Sequence, residues 1–506
     1  MEVQLEPISG CDHFQNISLQ NNTDNQLHIM KKKVVSIFLI AFLGFVITVH
    51  ARKSTANLGI KRPSKSDATV WITSPESNVL FQSQNLSFNL KKEKNKNPTI
   101  LIDPTLTFQT IDGFGNCLTG GSAMLLHRMD PRSRQAILKE LFATDGNNIG
   151  ISYLRISIGA SDLDEHVFSY DDLPVGETDI TLSRFSLAPD QADLIPVLKE
   201  ILAINPDIKI LGSPWSAPTW MKTNNNSKGG SLKPEFYDAY AKYFVKYIQG
   251  MKSEGITIDA ITIQNEPLHP GNNPSLFMPA DEQAQFIRQS LGPVFAASGI
   301  RSKIIVYDHN ADRPDYPLAI FKDPEAAKYV DGSAFHLYGG KIEALTPVHN
   351  AYPDKNLYFT EQWVGAPGNL AADLAWHVRT LIIGGTRNWC RIVLEWNLAA
   401  DPKYNPHTPG GCTECLGAIT IDGNQVTRNP AYYILAHAAK LVRPGSVRIG
   451  SNTSEELPNV AFRTPDGKKV LIVQNNSGGR KNFNIEFKRK TVSVSLDKGA
   501  VGTYIL

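Results

Sequence analysis

Glu266 and Glu361 are the residues whose type and placement could do chemistry. Glu266 lies in Gln264-Asn-Glu-Pro267 and Glu361 in Tyr358-Phe-Thr-Glu-Gln-Trp363. Each ends a short apolar run, 256–263 and 357–359, that reads as a buried parallel strand. A carboxylate at the C-terminal end of a barrel strand points into the barrel mouth, where catalytic groups collect. Two such groups on different strands suit retaining glycoside cleavage: one protonates the departing oxygen, the other attacks the anomeric carbon. In that division Glu361 is the nucleophile, and Glu266 is the acid and then the base. Glu266 must start protonated, so its surroundings are expected to raise its pKa. Taken singly, each glutamate could instead be a structural ion-pair or turn residue.

Other residues fall into place around this pair. Asn265 is positioned to bond the sugar 2-hydroxyl. Asp162 could accept hydrogen bonds from sugar hydroxyls, or cap a turn. Trp215 and Trp396 offer flat faces to the C–H side of a sugar, with core packing as the alternative. Asn397 follows Trp396 at the end of the eighth strand and joins the substrate-binding set. Arg155 points inward on strand alternation; it would hold one of the glutamates ionised or form a buried structural pair. His336 and Tyr338 flank the end of the sixth strand, where a tyrosine could orient the nucleophile. Trp363 and Tyr307 are rim candidates. This chemistry needs no cofactor and no metal, and the sequence shows no ligand cluster at metal spacing.

The elements that must hold these residues are legible from periodicity. Between 105 and 440, short apolar strands alternate with amphipathic helices. Eight strands are expected at 109–115, 149–158, 208–213, 256–264, 303–307, 332–336, 356–361 and 390–396. Helices are expected at 130–142, 190–204, 234–254, 281–298 and 370–384. This is the α/β class, a (β/α)8 TIM barrel. After 441 the pattern returns to short alternating strands with turns at Pro465-Asp-Gly467 and Ser477-Gly-Gly479, an antiparallel β-sandwich side domain. Strands at 69–104 lack a sheet of their own and are expected to complete that sandwich.

The 506 residues exceed what one core holds, about 300. A net charge of +2 gives no bulk attraction to nucleic acid. Met30 opens a tripartite leader, Lys31-Lys32-Lys33, an apolar run over 34–49 and a small-residue site at Ala51. Residues 1–29 then read as an upstream extension, 30–51 as a signal peptide and 52–68 as a linker. The apolar run is shorter than the roughly 20 residues a span needs, so cleavage is favoured over an uncleaved anchor, and export is expected. Cys117, Cys390, Cys412 and Cys415 would remain, with pairing undetermined. Cys412-Thr-Glu-Cys415 reads as a loop staple or free thiols rather than half a zinc site.

Several segments together resemble glycoside hydrolase family 30, which includes glucosylceramidases and endo-β-1,6-glucanases. They are Gln109-Thr-Ile-Asp-Gly-Phe-Gly115, Tyr153-Leu-Arg-Ile-Ser-Ile-Gly-Ala-Ser-Asp162, Gly212-Ser-Pro-Trp-Ser-Ala-Pro-Thr-Trp-Met-Lys222, Gln264-Asn-Glu-Pro267, Phe335-His-Leu-Tyr338, Thr360-Glu-Gln362 and Glu395-Trp-Asn-Leu-Ala399. The likeness runs over about 69–506. It implies a barrel joined to a β-sandwich, a retaining mechanism, and an acid/base and nucleophile after strands four and seven. It places the family's sugar-binding aspartate, tryptophan and histidine at Asp162, Trp215 and His336. The segment Gly115-Asn-Cys-Leu-Thr-Gly-Gly-Ser-Ala123 and the loop 401–417 depart from the glucosylceramidase pattern.

The expected partner is therefore a β-glucan or β-glucoside. β-1,6-Glucan is favoured, with glucosylceramide and then xylan behind it. Nucleic acid is not expected, and membrane contact is expected only through the leader or a lipid substrate. A non-catalytic carbohydrate-binding barrel is the alternative of another class. Endo or exo action and the oligomeric state stay open.

Overall fold

The structure is a computed structural model that describes residues 68–87, 95–488 and 490–506. The leader, the upstream extension and the linker up to residue 67 lie outside the described residues. Among the described residues, no helix is long and apolar enough to cross a membrane.

Eight parallel strands close a barrel: β1 (Gly113–Cys117), β2 (Tyr153–Ser157), β3 (Lys209–Ser213), β4 (Ala260–Thr262), β5 (Lys303–Asn310), β6 (Val330–His336), β7 (Asn356–Glu361) and β8 (Cys390–Asn397). Two expected strands change their bounds. Residues 109–110 end a side-sheet strand, Thr99–Thr110, so β1 starts at Gly113. The long apolar run at 256–264 contributes only three residues to the barrel, because Asn265 and Glu266 already turn away.

Inside the barrel, Tyr153, Leu211, Ala260, Ile305, Ala334, Tyr358, Ile392 and Leu394 form a closed apolar plug. Side chains on a strand alternate faces with period two. Two residues further along, the same inward face therefore carries Arg155, Ser213, Thr262, His336, Thr360 and Trp396, all buried. An apolar floor thus sets a polar layer directly beneath the mouth.

The surrounding helices begin where their sequences dictate. Asp130 caps Pro131–Phe142, accepting from the backbone of Arg132 at 2.9 Å and Ser133 at 3.0 Å, with Pro131 in the first turn. The helix Tyr237–Ser253 buries Tyr240, Tyr243, Phe244 and Tyr247 against the barrel. The stretches expected as regular helix at 281–298 and 370–384 each contain a π-helical segment, Ile287–Leu291 and Val378–Gly385.

The side domain is one nine-stranded sheet among the described residues. Ala68–Ser74 pairs antiparallel with Val501–Ile505, and Thr99–Thr110 pairs with Val447–Ser451. One pairing departs from the expected antiparallel order: Asn484–Glu486 runs parallel to Thr99–Leu101. Phe483 and Tyr504 sit on strands far apart in sheet order, yet their rings meet edge-on at 6.2 Å. The sheet therefore folds over itself into a sandwich, whose own core holds Val70, Ile102, Leu471, Val473 and Ile485.

Candidate active site

The barrel mouth opens into a cavity of about 310 Å³ lined by Glu266, Glu361, Asp162, Trp215, Asn265, Tyr338, Trp363 and Trp396 among others. That lies at the small end of ligand pockets, roughly 300–1,000 Å³. A carboxylate oxygen of Glu266, one of Glu361 and a ring nitrogen of His336 all lie within 4.8 Å of one another.

Glu361 closes β7 at a register shift between Phe359 and Glu361, which brings Thr360 and Glu361 to the interior in succession. Its Oε2 accepts from Arg155 Nη1 at 2.6 Å, and its Oε1 accepts from the Tyr338 hydroxyl at 3.0 Å. The Tyr338 ring is exposed while its hydroxyl is buried against this carboxylate. Glu266 follows β4 in the left-handed backbone region, φ 45°, a costly conformation for a non-glycine residue. Its N–H donates to Asp308 O at 3.0 Å, which fixes the turn. Its Oε1 lies 3.3 Å from His336 Nδ1, and its Oε2 accepts from Asn272 Nδ2 at 3.4 Å.

Beneath the pair lies Asp308, a residue the sequence reading did not single out. Its Oδ2 accepts from Arg155 Nη2 at 2.9 Å, Ser213 Oγ at 2.9 Å and Thr262 Oγ1 at 2.7 Å. Its Oδ1 accepts from Thr360 Oγ1 at 2.6 Å and lies 3.2 Å from His336 Nε2. Alternation along β5 would have aimed Tyr307 inward. A bulge between Tyr307 and His309, with φ of 73° and 66° at Tyr307 and Asp308, turns Asp308 inward instead. Tyr307 is buried away from the rim, its hydroxyl donating to Asn310 O at 2.6 Å, so the rim role expected for it does not hold. The available signal was position: Asp308-His309-Asn310 is a polar run at the C-terminal end of a barrel strand.

Charge in this layer is tightly balanced. Burial opposes the ionised form of Asp308, yet Arg155 and His336 hold its carboxyl well below the usual range. Burial would lower His336, but Glu361, Asp308 and Glu266 raise it to about 9. Burial raises Glu361 above the ordinary glutamate value, the charges of Glu266 and Asp308 adding to it against His336 and Arg155. Burial pushes Glu266 upward as well, but the hydrogen bond and charge of His336 outweigh it, and Glu266 is held below its ordinary value. The expectation of a raised Glu266 is thus corrected. The proton sits on the adjacent imidazole.

The remaining expected residues separate into two sets. Asp162 faces the cavity; burial, then the charge of Glu361, pushes it up to about 7, and the Cys412 N–H donates to its Oδ2 at 3.2 Å. Trp215 and Trp396 pack at 5.4 Å, with the Arg155 guanidinium 4.7 Å from the Trp215 ring centre. Asn265 lines the cavity, and its Oδ1 is taken by Arg155 Nη2 at 2.6 Å. Arg155 and His336 are fully buried below the mouth, so they contact carboxylates rather than substrate. Asn397 spends its amide on Ala399 O and Cys415 O, both at 3.3 Å, which anchors the loop after β8 instead of facing sugar.

That loop is pinned by a Cys412–Cys415 disulfide, while Cys117 and Cys390 are buried thiols. It packs closely on Asp162: a Cβ on Gly411 would stand 2.3 Å from the Asp162 carbonyl oxygen. Among the described residues, Glu266, His336 and Glu361 are the one group with metal-like spacing, made by three distant strands and so invisible in sequence. With His336 raised to about 9 the imidazole is protonated near neutrality, and a protonated imidazole is not a ligand.

Comparison with known proteins agrees with this geometry. The model of the glycosyl hydrolase family 30 TIM-barrel domain matches residues 111–442, and that of the family's β-sandwich domain matches 445–504. Endo-1,6-beta-D-glucanase neg1 of Aspergillus fumigatus is 35% identical over 73% of this chain and 79% of its own. The lysosomal acid glucosylceramidase of Mus musculus is 29% identical over 75% and 77%. The solved structure of the endo-beta1,6-glucanase BT3312 superposes with a TM-score of 0.81 at 35% identity, covering 87% of this chain and 99% of that one. With both family domains matched in order and a carboxylate pair at the barrel mouth, the chain belongs to glycosyl hydrolase family 30 and is a glycoside hydrolase.

Proposed function

We propose that this enzyme cleaves β-1,6-glucan within the chain, with retention at the anomeric carbon. The spacing of Glu266 and Glu361 carries the retaining assignment. Carboxylate oxygens within 4.8 Å fall far short of the gap of about 6.5–9.5 Å that an inverting enzyme keeps for water. The endo-β-1,6-glucanases at 34–35% identity support the substrate.

In the first step a Glu361 oxygen forms a bond to C1, and the bond from C1 to the leaving oxygen breaks. That oxygen takes a proton from Glu266. His336, held by Asp308, is the proton's resting place, and transfer across its contact with Glu266 arms the acid. Arg155 and Tyr338 keep the other carboxylate oriented. In the second step water gives a proton to Glu266, its oxygen bonds C1, and the ester to Glu361 breaks. The Asn265 amide nitrogen is the group left to donate toward the sugar 2-hydroxyl.

Digestion of β-1,6-glucan tests the reading. A ladder of oligosaccharides is expected, and Glu361→Gln should abolish it with the melting temperature kept. Turnover of glucosylceramide without cleavage of the glucan would reject the substrate in favour of the lipid, the reading supported by the 29% identical glucosylceramidase. Wild-type turnover by Glu361→Gln would reject the nucleophile. Export, inferred from the Met30–Ala51 pattern, is checked by the N-terminal sequence of secreted protein.

A further inference from the structure

We propose that the Glu266 side of the cleft is a built acceptor subsite, lined by His269, Asn272, His309 and Asn310, that takes a sugar rather than a hydrocarbon chain. The inference rests on the glycosidase reading and names what leaves from it. The acid must reach the glycosidic oxygen, so the departing group extends from Glu266 away from Glu361. These four residues line the cavity there. The backbone N–H of His269 donates to Glu266 O at 2.9 Å, and Asn272 Nδ2 donates to Glu266 Oε2 at 3.4 Å. His309 Nε2 stands 3.8 Å from Glu266 Oε1.

Each polar side chain keeps hydrogen-bonding capacity the protein does not use. His309 is nine-tenths buried, and its Nδ1 has no partner. Burial holds its imidazole neutral, so one ring nitrogen donates and the other accepts. Asn272 keeps its Oδ1 to accept. Asn310 receives the Tyr338 N–H on Oδ1 at 3.0 Å and keeps its Nδ2 to donate. A hexose presents hydroxyls that both donate and accept, which suits this mixed set. An alkyl chain would leave the same groups unpaired, at a cost comparable to a lost hydrogen bond for each.

The glycosyl-enzyme reports on this subsite directly. An aryl β-glucoside donates the glucosyl group to Glu361 and its phenol leaves with a proton. An added acceptor hydroxyl then bonds C1, the ester to Glu361 breaks, and the hydroxyl proton passes to Glu266. The measurement is the ratio of transfer to hydrolysis with gentiobiose, and separately with hexanol, as acceptor. The wild type should transfer to gentiobiose in preference to hexanol at equal concentration. His269→Leu and Asn310→Ala should each lower the gentiobiose ratio by about tenfold, the loss of one good hydrogen bond. A merely structural effect would slow both fates of the same intermediate and leave the ratio unmoved. Unchanged ratios in both variants, or a wild-type preference for hexanol, would overturn the subsite while leaving the glycosidase intact. Failure to hydrolyse the aryl glucoside would overturn both readings.

Discussion

Asp308 gathers Arg155, Ser213, Thr262, Thr360 and His336 on two oxygens while touching no part of the cavity. Asp308→Asn would leave two buried cations without their anion, and removing one partner of such a pair costs about 3–5 kcal/mol. Urea unfolding at pH 7 should show a loss of that size. The folded pKa of Asp308 is depressed, so its contribution is complete above the unfolded value of roughly 3.9 and is lost as pH falls through the lower folded value. The gap between wild type and variant should therefore persist at pH 5 and close in stronger acid. His336 has the opposite sign. Raised to about 9, its proton is fully held at neutral pH and is lost as pH rises through that value. The pH profile of kcat/KM should fall on the basic side near 9, and His336→Asn should remove that limb. Glu266→Gln should slow glucan cleavage by about 10²–10⁴-fold, the worth of a general acid. An aryl glucoside with a good leaving group should lose less in the first step. Glu266 and Glu361 could be read from residue type and strand position alone. Asp308 could not, because a bulge reverses the facing that alternation assigns.

At the scale of elements, the polar layer follows from the apolar plug by counting two along each strand. Most of it was accordingly legible as inward positions on expected strands, Arg155 among them. Misreadings cluster where a strand ends or bends. Gln109 belongs to the side sheet, where Arg448 Nε donates to its Oε1 at 2.9 Å, although it precedes Gly113 in an unbroken strand-like run. The loop after β8 shows no period at all, yet it reaches three parts of the mouth. Cys415 pairs with Gly365 just past β7, Thr408 N donates to Asp162 O at 2.9 Å, and Asn273 Nδ2 donates to Pro409 O at 3.1 Å. Its disulfide therefore positions the Cys412 N–H on Asp162. Cys412→Ser with Cys415→Ser, or reduction of the wild type, should raise KM by up to about tenfold, one charge-assisted hydrogen bond, with kcat moved less. Steady-state kinetics on glucan fragments decides it; an unmoved KM would show the staple to be indifferent to binding.

Across the whole molecule, the sandwich is completed by residues that precede and follow the barrel. The expectation that the early strands need the late ones came from their lack of a partner sheet, and Ala68–Ser74 lies between Val79–Leu86 and Val501–Ile505. How far the sheet curls was not legible, since ring contacts such as Phe483 on Tyr504 depend on twist rather than on alternation. The barrel is welded to this sheet. His437, on the helix Pro430–Ala439, sits between Thr73 at 2.8 Å and Thr503 at 2.9 Å. Truncation before Val501 should then cost soluble expression and not merely trim the side domain, as fractionation of lysates would reveal.

The seam between Ala68–Ser74 and Val501–Ile505 also imposes an order on biosynthesis. Ribosomes add about 5–20 residues per second. The earliest of these two strands must therefore wait on the order of half a minute or more for its mate to emerge, with Val70 and Trp71 unsheltered. Holdase chaperones have their natural window on this polypeptide in that interval.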